Sequence, residues 1–188
     1  MPVTIYDLKL DDDEAIQQAA GIALAAFDHV QFCDTLEEAE GEVREALEPG
    51  KICLAALDET GEMLGWIGGL HNYALVWELH PLAVHPRKQR QDVGRALVLA
   101  LQERIAATGG MTITLGTDDE FGGTKLYGRE LYPEVLSAVQ AIFSIDDHPF
   151  IFYQKLGFLV TGLVPDANGF GKPDILMSKR VLQKSTTG

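Results

Sequence analysis

The chain has only two cysteines, and it has no long apolar run. Cys33 and Cys53 lie apart, without the spacing of a metal site, which predicts buried thiols in a reducing compartment and no metal. The longest apolar runs fall far short of the ~18–20 residues that span a bilayer. No basic, apolar and small-residue segment opens the chain. We therefore expect a cytoplasmic protein without a membrane span or a secretory signal.

Basic residues are also scarce, since 15 Lys and Arg stand against 28 Asp and Glu, for a net charge of −13. This charge disfavours nucleic acid and anionic membranes as partners, and it favours a cationic substrate. A P-loop NTPase is excluded because no G-x-x-x-x-G-K-S/T run occurs. The 188 residues, 46% of them hydrophobic, predict one domain over residues 1–188 with a proper core and a frayed tail from about residue 182.

Apolar periodicity predicts a chain of strands and helices, of the α+β class with a mixed sheet. The predicted strands cover residues 2–8, 52–57, 63–70, 75–84, 111–115, 158–164 and 174–181. The first predicted helix ends near residue 27. The other predicted helices cover residues 36–47, 91–105, 132–142 and 148–156. A turn is expected at 71–73. The loop at 29–35 is either a plain helix connection or part of an acceptor site.

One predicted strand, at 75–84, carries an unusual pair of polar side chains. Period two places Glu78, His80 and Leu82 on the same face. Buried polar groups cost free energy unless they are paired, so either Glu78 and His80 satisfy each other or their face opens on a cleft. Pro81 cannot donate a ladder hydrogen bond, so strand pairing should be broken there, with backbone N–H groups free to bind something.

A basic cluster follows that strand. Arg87, Lys88, Arg90 and Arg95 fall within nine residues of an otherwise acidic chain, and Gly94 lies at the start of the predicted helix. A helix start has unpaired N–H groups and partial positive charge, and glycine lets a ligand approach closely. The segment therefore favours a bound polyanion such as a pyrophosphate, against the alternative of an ordinary exposed loop.

Two adjacent acids, Asp118 and Asp119, come shortly after the predicted strand at 111–115. Ligands in open α/β sheets sit beyond the carboxyl ends of the strands, where two carboxylates would attract an ammonium group. The alternatives are a solvated turn or caps for the next helix.

Two motifs resemble those of a known family. QDVGRA at 91–96 resembles the Q/R-x-x-G-x-G/A motif of the GNAT acetyltransferases, which depend on acetyl-CoA, and FYQKLGF at 152–158 resembles their C-terminal signature. Longer runs at 77–82, 109–119, 148–149, 165–169 and 172–175 resemble the dimeric subgroup of aminoglycoside 6′-N-acetyltransferases. The likeness covers roughly residues 52–180. In the N-terminal acceptor region, where relatives often carry an aromatic residue, Phe27 is the candidate to take its place.

The resemblance implies a GNAT fold, with a central mixed sheet of about six to seven strands flanked by helices. It implies direct transfer of acetyl from acetyl-CoA, without a metal, to a cationic small-molecule amine. The 6′-amine of aminoglycosides is the first choice, with antibiotic resistance as the consequence, and a homodimer is expected. Two alternatives stay open: a GNAT enzyme acting on a polyamine, peptide or lysine, and a non-catalytic acetyl-CoA-binding module.

The resemblance also assigns catalytic roles. A carboxylate, Glu78 or Asp119, accepts the proton of the amine or holds its ammonium form. The backbone N–H of Leu82 stabilises the oxyanion. The hydroxyl of Tyr153, near the thioester sulfur, gives a proton to the leaving thiolate.

The same resemblance assigns the binding residues. Leu82 and Tyr153 contact the coenzyme, and the backbones of Ala83 and Val84 pair with the pantetheine amides. The pyrophosphate is held by Gln89, Arg90, Gln91, Asp92, Val93, Gly94, Arg95 and Ala96. The acceptor is held by Glu78, His80, Asp118 and Asp119.

Overall fold

The computed structural model describes residues 3–28, 32–146 and 148–181. The chain divides into two compact units, Met1–Met111 with Val181–Gly188, and Thr112–Arg180. The expectation of one domain over residues 1–188 stays a prediction. The tail from residue 182, position 2 of the first predicted strand and positions 29–31 of the predicted loop lie outside the described residues.

The described part of the first unit contains four strands, three α-helices and a single 3-10 turn at Pro86–Lys88. The strands lie in the order β1-β2-β3-β4, and each neighbouring pair is antiparallel. The elements are β1 (Thr4–Asp7), α1 (Asp13–Ala26), α2 (Leu36–Ala46), β2 (Ile52–Leu57), β3 (Met63–Tyr73), β4 (Val76–Val84) and α3 (Val93–Ala107).

Side-chain caps fix the starts of the first two helices. The Asp12 carboxylate accepts a hydrogen bond from the Ala15 N–H at 3.0 Å. The Thr35 hydroxyl accepts from the Glu38 N–H at 3.2 Å, and the Glu38 carboxylate accepts from the Thr35 N–H at 3.2 Å. This reciprocal pair is a capping box, and each cap contributes about 0.5–2 kcal/mol. Each of these two helices thus begins at a residue whose side chain satisfies a free N–H group of the first turn.

The core of the first unit forms where the alanine face of α1 meets the sheet. Ala19, Ala20 and Ala23 are fully buried, and so is Trp66 of β3. The indole N–H of Trp66 donates to the Ala19 carbonyl at 2.9 Å, so its one polar atom is satisfied. Burying a Trp removes about 150–250 Å² from water, which contributes about 4–6 kcal/mol. Small side chains on α1 make room for this large one.

The apolar face that helical periodicity predicted for α3, at positions 93, 97, 100, 101 and 105, is largely buried, with Ala100 half-buried. Val93, Leu97, Leu101 and Ile105 are all buried. A Cβ on Gly69 of β3 would lie 2.7 Å from the Leu101 Cδ1, so the strand and the helix pack in close contact there. Helix α3 is therefore held against β3 by its buried face.

The second unit has three strands and two short helices among its described residues. Strand β7 lies between β5 and β6 and is antiparallel to both. Leu126, Leu131 and Leu163 form a small apolar cluster with residues of α4. The elements are β5 (Thr112–Asp118), α4 (Val135–Gln140), α5 (Phe150–Lys155), β6 (Leu159–Val164) and β7 (Asp174–Arg180).

Several predicted boundaries were wrong, among them those of β3, β5 and α4. Strand β3 continues through 71–73, because His71 pairs with Trp77 and Tyr73 with Val76, and the turn lies at residues 74–75. Strand β5 runs on to Asp118 because its pairing with β7 continues that far. Helix α4 is shorter than 132–142, since Pro133 disfavours helix at the residue before it.

No helix within the described ranges is long and apolar enough to cross a membrane.

Candidate active site

In the first unit, strand β4 turns Glu78, His80 and Leu82 to the less buried face. Trp77 and Leu79 each have 4% of their surface exposed, whereas Glu78 and Leu82 are half-buried and His80 is exposed. The Glu78 carboxylate accepts a hydrogen bond from the Asn72 side chain at 3.3 Å. Of the two alternatives left open by the sequence, this arrangement agrees with an open face, and it leaves the Glu78 carboxylate partly exposed.

Strand pairing is broken where Pro81 predicted it. Ile67 pairs with Leu82 and Gly69 pairs with Leu79. The single residue between the two pairs on β3 therefore lies opposite two residues on β4. A Cβ on Gly68 would lie 2.2 Å from the His80 carbonyl oxygen, so only glycine fits opposite the bulge. Bulges bend a strand and leave backbone groups outside the ladder, often beside a ligand. The oxyanion role of the Leu82 N–H stays a prediction.

Helix α3 begins at Val93, two residues later than predicted. The delay arises because Arg90 and Asp92 have positive φ angles, 58° and 64°, which curl the chain before the helix. Such conformations cost about 1–3 kcal/mol for residues other than glycine, and they cluster at ligand clamps. Gly94 lies in the first turn of the helix, so it is at the helix start as predicted.

The start of α3 is suited to an anion. Asp92 occupies the N-cap position, but its side chain makes no capping bond within the described structure. The first N–H groups of the helix, at its positive end, are therefore left without that acceptor. Arg87 and Arg95, which are close to this helix start in the sequence, are exposed. Lys88 forms an ion pair with Glu62 at 3.6 Å.

Other predicted coenzyme residues form a local network. The Gln89 side chain donates to the Val84 carbonyl at 3.3 Å, and the Gln91 side chain donates to the Arg87 carbonyl at 2.9 Å. Ala83 is fully buried and Ala96 half-buried. A coenzyme amide that paired with Val84 would have to compete with the long bond from Gln89. The fit to a pantetheine and pyrophosphate chain stays a prediction.

An aromatic cluster that the sequence did not reveal adjoins this face. The ring of Phe32 lies 4.6 Å from that of Phe27 and 6.2 Å from that of His80, centroid to centroid. Phe32 also lines a small cleft of about 160 Å³ with Cys33, Asp34 and Glu38. Phe27 was the predicted acceptor aromatic, but Phe32 lies between it and His80.

In the second unit, Asp118 and Asp119 have different environments. Asp118, the last residue of β5, is exposed, and its carboxylate accepts a hydrogen bond from the Asn168 side chain. Asp119 is 1% exposed. Its carboxylate accepts from the Gly123 N–H at 2.8 Å, the Thr124 N–H at 3.1 Å and the Thr124 hydroxyl at 2.5 Å. Asp118 therefore has the geometry to meet a cation, whereas Asp119 holds its own loop together.

Tyr153 lies on α5, which begins at Phe150 rather than at residue 148. The later start follows from Pro149, which occupies the N-cap position. The Tyr153 ring is edge-on to the rings of Phe152 and Phe158, with centroid distances of 5.0 Å and 5.7 Å. Burial raises the pKa of the Tyr153 hydroxyl well above its ordinary value of 10.0. The phenol therefore stays protonated at neutral pH, as a proton donor must.

His148 was part of the family resemblance, but it received no role. It is 4% exposed and uses both ring nitrogens in hydrogen bonds. A histidine followed by proline at a helix start is the signal that would have identified it. Across residues 3–28, 32–146 and 148–181, no group of three or more His, Cys, Asp or Glu is placed to hold a metal ion.

The family model described as acetyltransferase (GNAT) matches residues 18–131. The chain belongs to the GNAT acetyltransferase family. The GNAT fold predicted from the sequence, a mixed sheet flanked by helices, is thereby confirmed, with seven strands in the described residues. The comparison with curated proteins found no match.

This GNAT chain is also similar to solved structures of aminoglycoside acetyltransferases. An aminoglycoside 6′-N-acetyltransferase complexed with coenzyme A is 34% identical over 96% of this chain and 98% of that chain, with a TM-score of 0.88. The aminoglycoside 6′-N-acetyltransferase from Enterococcus faecium is also 34% identical, over 96% and 98%, with a TM-score of 0.86. An aminoglycoside 6′-acetyltransferase type Ii is 30% identical over 96% and 99%, with a TM-score of 0.72. The resemblance to this group is confirmed.

Proposed function

We propose that this protein transfers the acetyl group of acetyl-CoA directly to a primary amine, and that the acceptor is the 6′-amine of an aminoglycoside. The observation that carries acetyl transfer is the β4–α3 segment, where a bulged strand leads to a helix start without a side-chain cap. The choice of acceptor is supported by 34% identity, over nearly the whole chain, to enzymes named for that reaction.

Coenzyme binding is assigned to the segment from Leu82 to Ala96. The N–H groups of the first turn of α3 would hold the pyrophosphate, with help from the exposed Arg95. The backbones of Ala83 and Val84 would pair with the pantetheine amides as an added strand does. When bound, acetyl-CoA supplies the activated acyl group, and the protein supplies its orientation.

The chemistry needs one proton acceptor, one oxyanion donor and one proton donor. The amine nitrogen attacks the thioester carbon, so a C–N bond forms and the C–S bond breaks. Glu78 accepts the proton from the amine directly or through water, and it is preferred to Asp119, whose oxygens are already occupied. The Leu82 N–H donates to the developing oxyanion. Tyr153 returns a proton to the thiolate.

The acceptor is a cation before it reacts, and the protein has matching groups. Asp118 and Glu78 supply exposed or half-buried carboxylates, and His80 and Phe32 supply rings against which a sugar can pack. Charge-assisted hydrogen bonds to ammonium groups are about twice as strong as neutral ones. Orienting the two substrates can contribute about 7–11 kcal/mol at the upper end, so no single side chain has to be indispensable.

The deciding experiment is thiol release from acetyl-CoA with a panel of amines. The panel contains aminoglycosides with and without a 6′-amine, a polyamine and a lysine peptide. Release only with 6′-amino compounds supports the proposal and its regiochemistry. Release with the polyamine or peptide alone keeps acetyl transfer and overturns the acceptor. No release, in a protein that still binds coenzyme A, would favour the binding-module alternative.

The proton-donor role is tested with Tyr153→Phe, which removes only the hydroxyl. We expect kcat to fall about 10²-fold or more while the Kd for coenzyme A stays within about twofold. The matched control is Tyr132→Phe, because the Tyr132 side chain is 59% exposed and has no role in the proposal. An unchanged kcat for Tyr153→Phe would remove Tyr153 from the mechanism.

The expected assembly is a homodimer, and the expected place of action is the cytoplasm. Sedimentation equilibrium and cell fractionation test these two expectations directly. A monomer at assay concentrations with full activity would show that no partner subunit is needed for transfer.

A further inference from the structure

His148 joins two segments of the second unit through its ring. Its Nδ1 accepts a hydrogen bond from the Phe150 N–H at 3.1 Å, and Phe150 is the first residue of α5. Its Nε2 lies 3.1 Å from the carbonyl oxygen of Asp118, the last residue of β5. The ring therefore bridges the end of β5 and the start of the helix that carries Tyr153.

The two partners determine the protonation state of the imidazole. A backbone N–H can only donate, so the Nδ1 that faces Phe150 carries no proton. A carbonyl oxygen can only accept, so the Nε2 that faces Asp118 carries the proton. Both bonds form only in this neutral tautomer. Adding a proton at Nδ1 would set two N–H groups against each other and break the bond to α5.

The surroundings keep the ring from moving to relieve such a conflict. The backbone N–H of His148 donates to the Ser144 hydroxyl at 3.1 Å. A Cβ on Gly123 would lie 2.8 Å from the His148 Cδ2 and 3.1 Å from its Cβ, so this loop packs tightly on the side chain. The chain continues directly into α5, where the Ile151 N–H donates to the His148 carbonyl at 3.0 Å.

The electrostatic balance at His148 also favours the neutral form. Asp118 and Asp119 are the charged groups that face it from the β5 side, and from α5 it meets the Phe150 ring at 5.3 Å. Burial lowers the pKa of His148 below its ordinary value of 6.5, and this effect exceeds the opposite pull of the two carboxylates. At neutral pH both ring bonds are therefore intact. As the pH falls through the lowered pKa, the bond from the Phe150 N–H to Nδ1 is lost, while Nε2 still donates to the Asp118 carbonyl.

We propose that His148 is a positioning residue for acetyl transfer, which in its neutral form holds the start of α5, and with it Tyr153, to the end of β5. Protonation of the ring releases this hold. The catalytic consequence rests on the role proposed for Tyr153. The bridge itself does not depend on that role, because it is defined by the two hydrogen bonds of the ring.

The first test needs no amine acceptor and uses the intact protein. NMR of the protein labelled with ¹⁵N-histidine reads the tautomer of His148. We expect the neutral Nε2–H form at pH 7.5, titration below pH 6.5, and faster hydrogen exchange of the Phe150 amide once the ring is protonated. An Nδ1–H tautomer, a charged ring at pH 7.5, or no change in the exchange of the Phe150 amide would each overturn the proposal.

The second test separates positioning from folding by pH dependence. In His148→Asn an amide oxygen can take the place of Nδ1, and in His148→Gln an amide N–H can take the place of Nε2; neither variant titrates. We expect kcat of the wild type to fall below pH 6.5, and this acid limb to vanish in both variants. Their kcat at pH 7.5 should fall about 10- to 100-fold, as misplacement of a catalytic group does, with an unchanged Kd for coenzyme A.

The matched control is His71→Asn, which removes an exposed histidine of the first unit and should keep the acid limb. An acid limb that survives in His148→Asn and His148→Gln would assign it to another group and overturn the proposal. If both variants fail to fold, the NMR result on the wild type decides. If no amine is acetylated, the proposed function fails, and the tautomer measurement still decides the bridge.

Discussion

Replacing Asp119 with alanine removes, within the described residues, the side-chain acceptor of the buried Thr124 N–H and of the half-buried Gly123 N–H. The Asp119 Oδ1 accepts from Gly123, and its Oδ2 accepts from the N–H and hydroxyl of Thr124. The Thr124 hydroxyl accepts in turn from the Leu126 N–H at 3.1 Å, so the carboxylate anchors a short chain of bonds. Thr124 is 1% exposed, and water does not readily replace the lost acceptor.

The size of the effect follows from the donors left unpaired. A buried donor without a partner costs about 1–3 kcal/mol, and hydrogen bonds to charged groups lie at the upper end. Two backbone N–H groups lose their acceptor, while the hydroxyl of Thr124 can rotate towards another. We therefore expect Asp119→Ala to lower the free energy of unfolding by about 2–5 kcal/mol. The control Asp118→Ala, at an exposed position, should change it by less than about 1 kcal/mol.

The assay is urea unfolding followed by far-UV circular dichroism, with the m-value checked for two-state behaviour. A general base would behave differently, since its loss would cut kcat by about 10²–10⁴-fold without a large change in stability. A free energy of unfolding for Asp119→Ala within about 0.5 kcal/mol of the wild type would refute this structural role of Asp119. With a large loss of kcat, the same result would return Asp119 to the catalytic site.

Three further predictions concern the first unit. Arg95→Gln should weaken coenzyme A binding about tenfold in isothermal titration, because a charge-assisted bond to phosphate is lost, whereas Arg44→Gln on α2 should leave it unchanged. Phe32→Ala should raise the KM for the amine about 3–10-fold with coenzyme affinity intact, and an unchanged KM would separate the aromatic cluster from the acceptor. Burial raises the pKa of Cys53 to about 12, so only Cys33 should react with a thiol reagent at pH 8, and two reacting thiols in the native protein would contradict the buried state of Cys53.

Strong local signals in the sequence predicted much of the first unit. The strand at 52–57 was predicted with the bounds it has, since a short apolar run between turn residues leaves little choice. The second helix begins at Leu36 as predicted, and most of the predicted apolar face of α3 is buried. These features depend on neighbours within one turn or one strand, and such neighbours are visible in the sequence.

The boundaries that failed depend on contacts between distant residues. Strand β3 outlasts its apolar part because His71 lies edge-on to Trp77, with ring centroids 4.3 Å apart, and cross-strand aromatic pairs stabilise a ladder. The late start of α3 comes from positive φ angles at Arg90 and Asp92, and neither residue type predicts such an angle at its position. Period and propensity contain no information about either effect.

The candidate site shows the same division. The exposed face of β4 and the break at Pro81 followed from period two and from the missing N–H of proline. The contacts of Phe32 and the bridge of His148 did not, because each depends on how a loop folds back. A sequence can name the residue types that chemistry needs, but burial decides which of them remain available to a ligand.

The two adjacent carboxylates show how far one backbone step can separate two functions. Asp119 continues the pairing of β5, with its N–H donating to the Pro173 carbonyl at 2.9 Å. Neighbouring residues of an extended chain project to opposite sides. Asp118 therefore faces outward, while the carboxylate of Asp119 is enclosed by its own loop. Two acids in a row at the end of a strand therefore do not both offer their carboxylates to a ligand, and only one of this pair is available to the proposed acceptor. The ammonium group of the acceptor should then depend on Asp118, with Asp119 acting only through the loop that it closes.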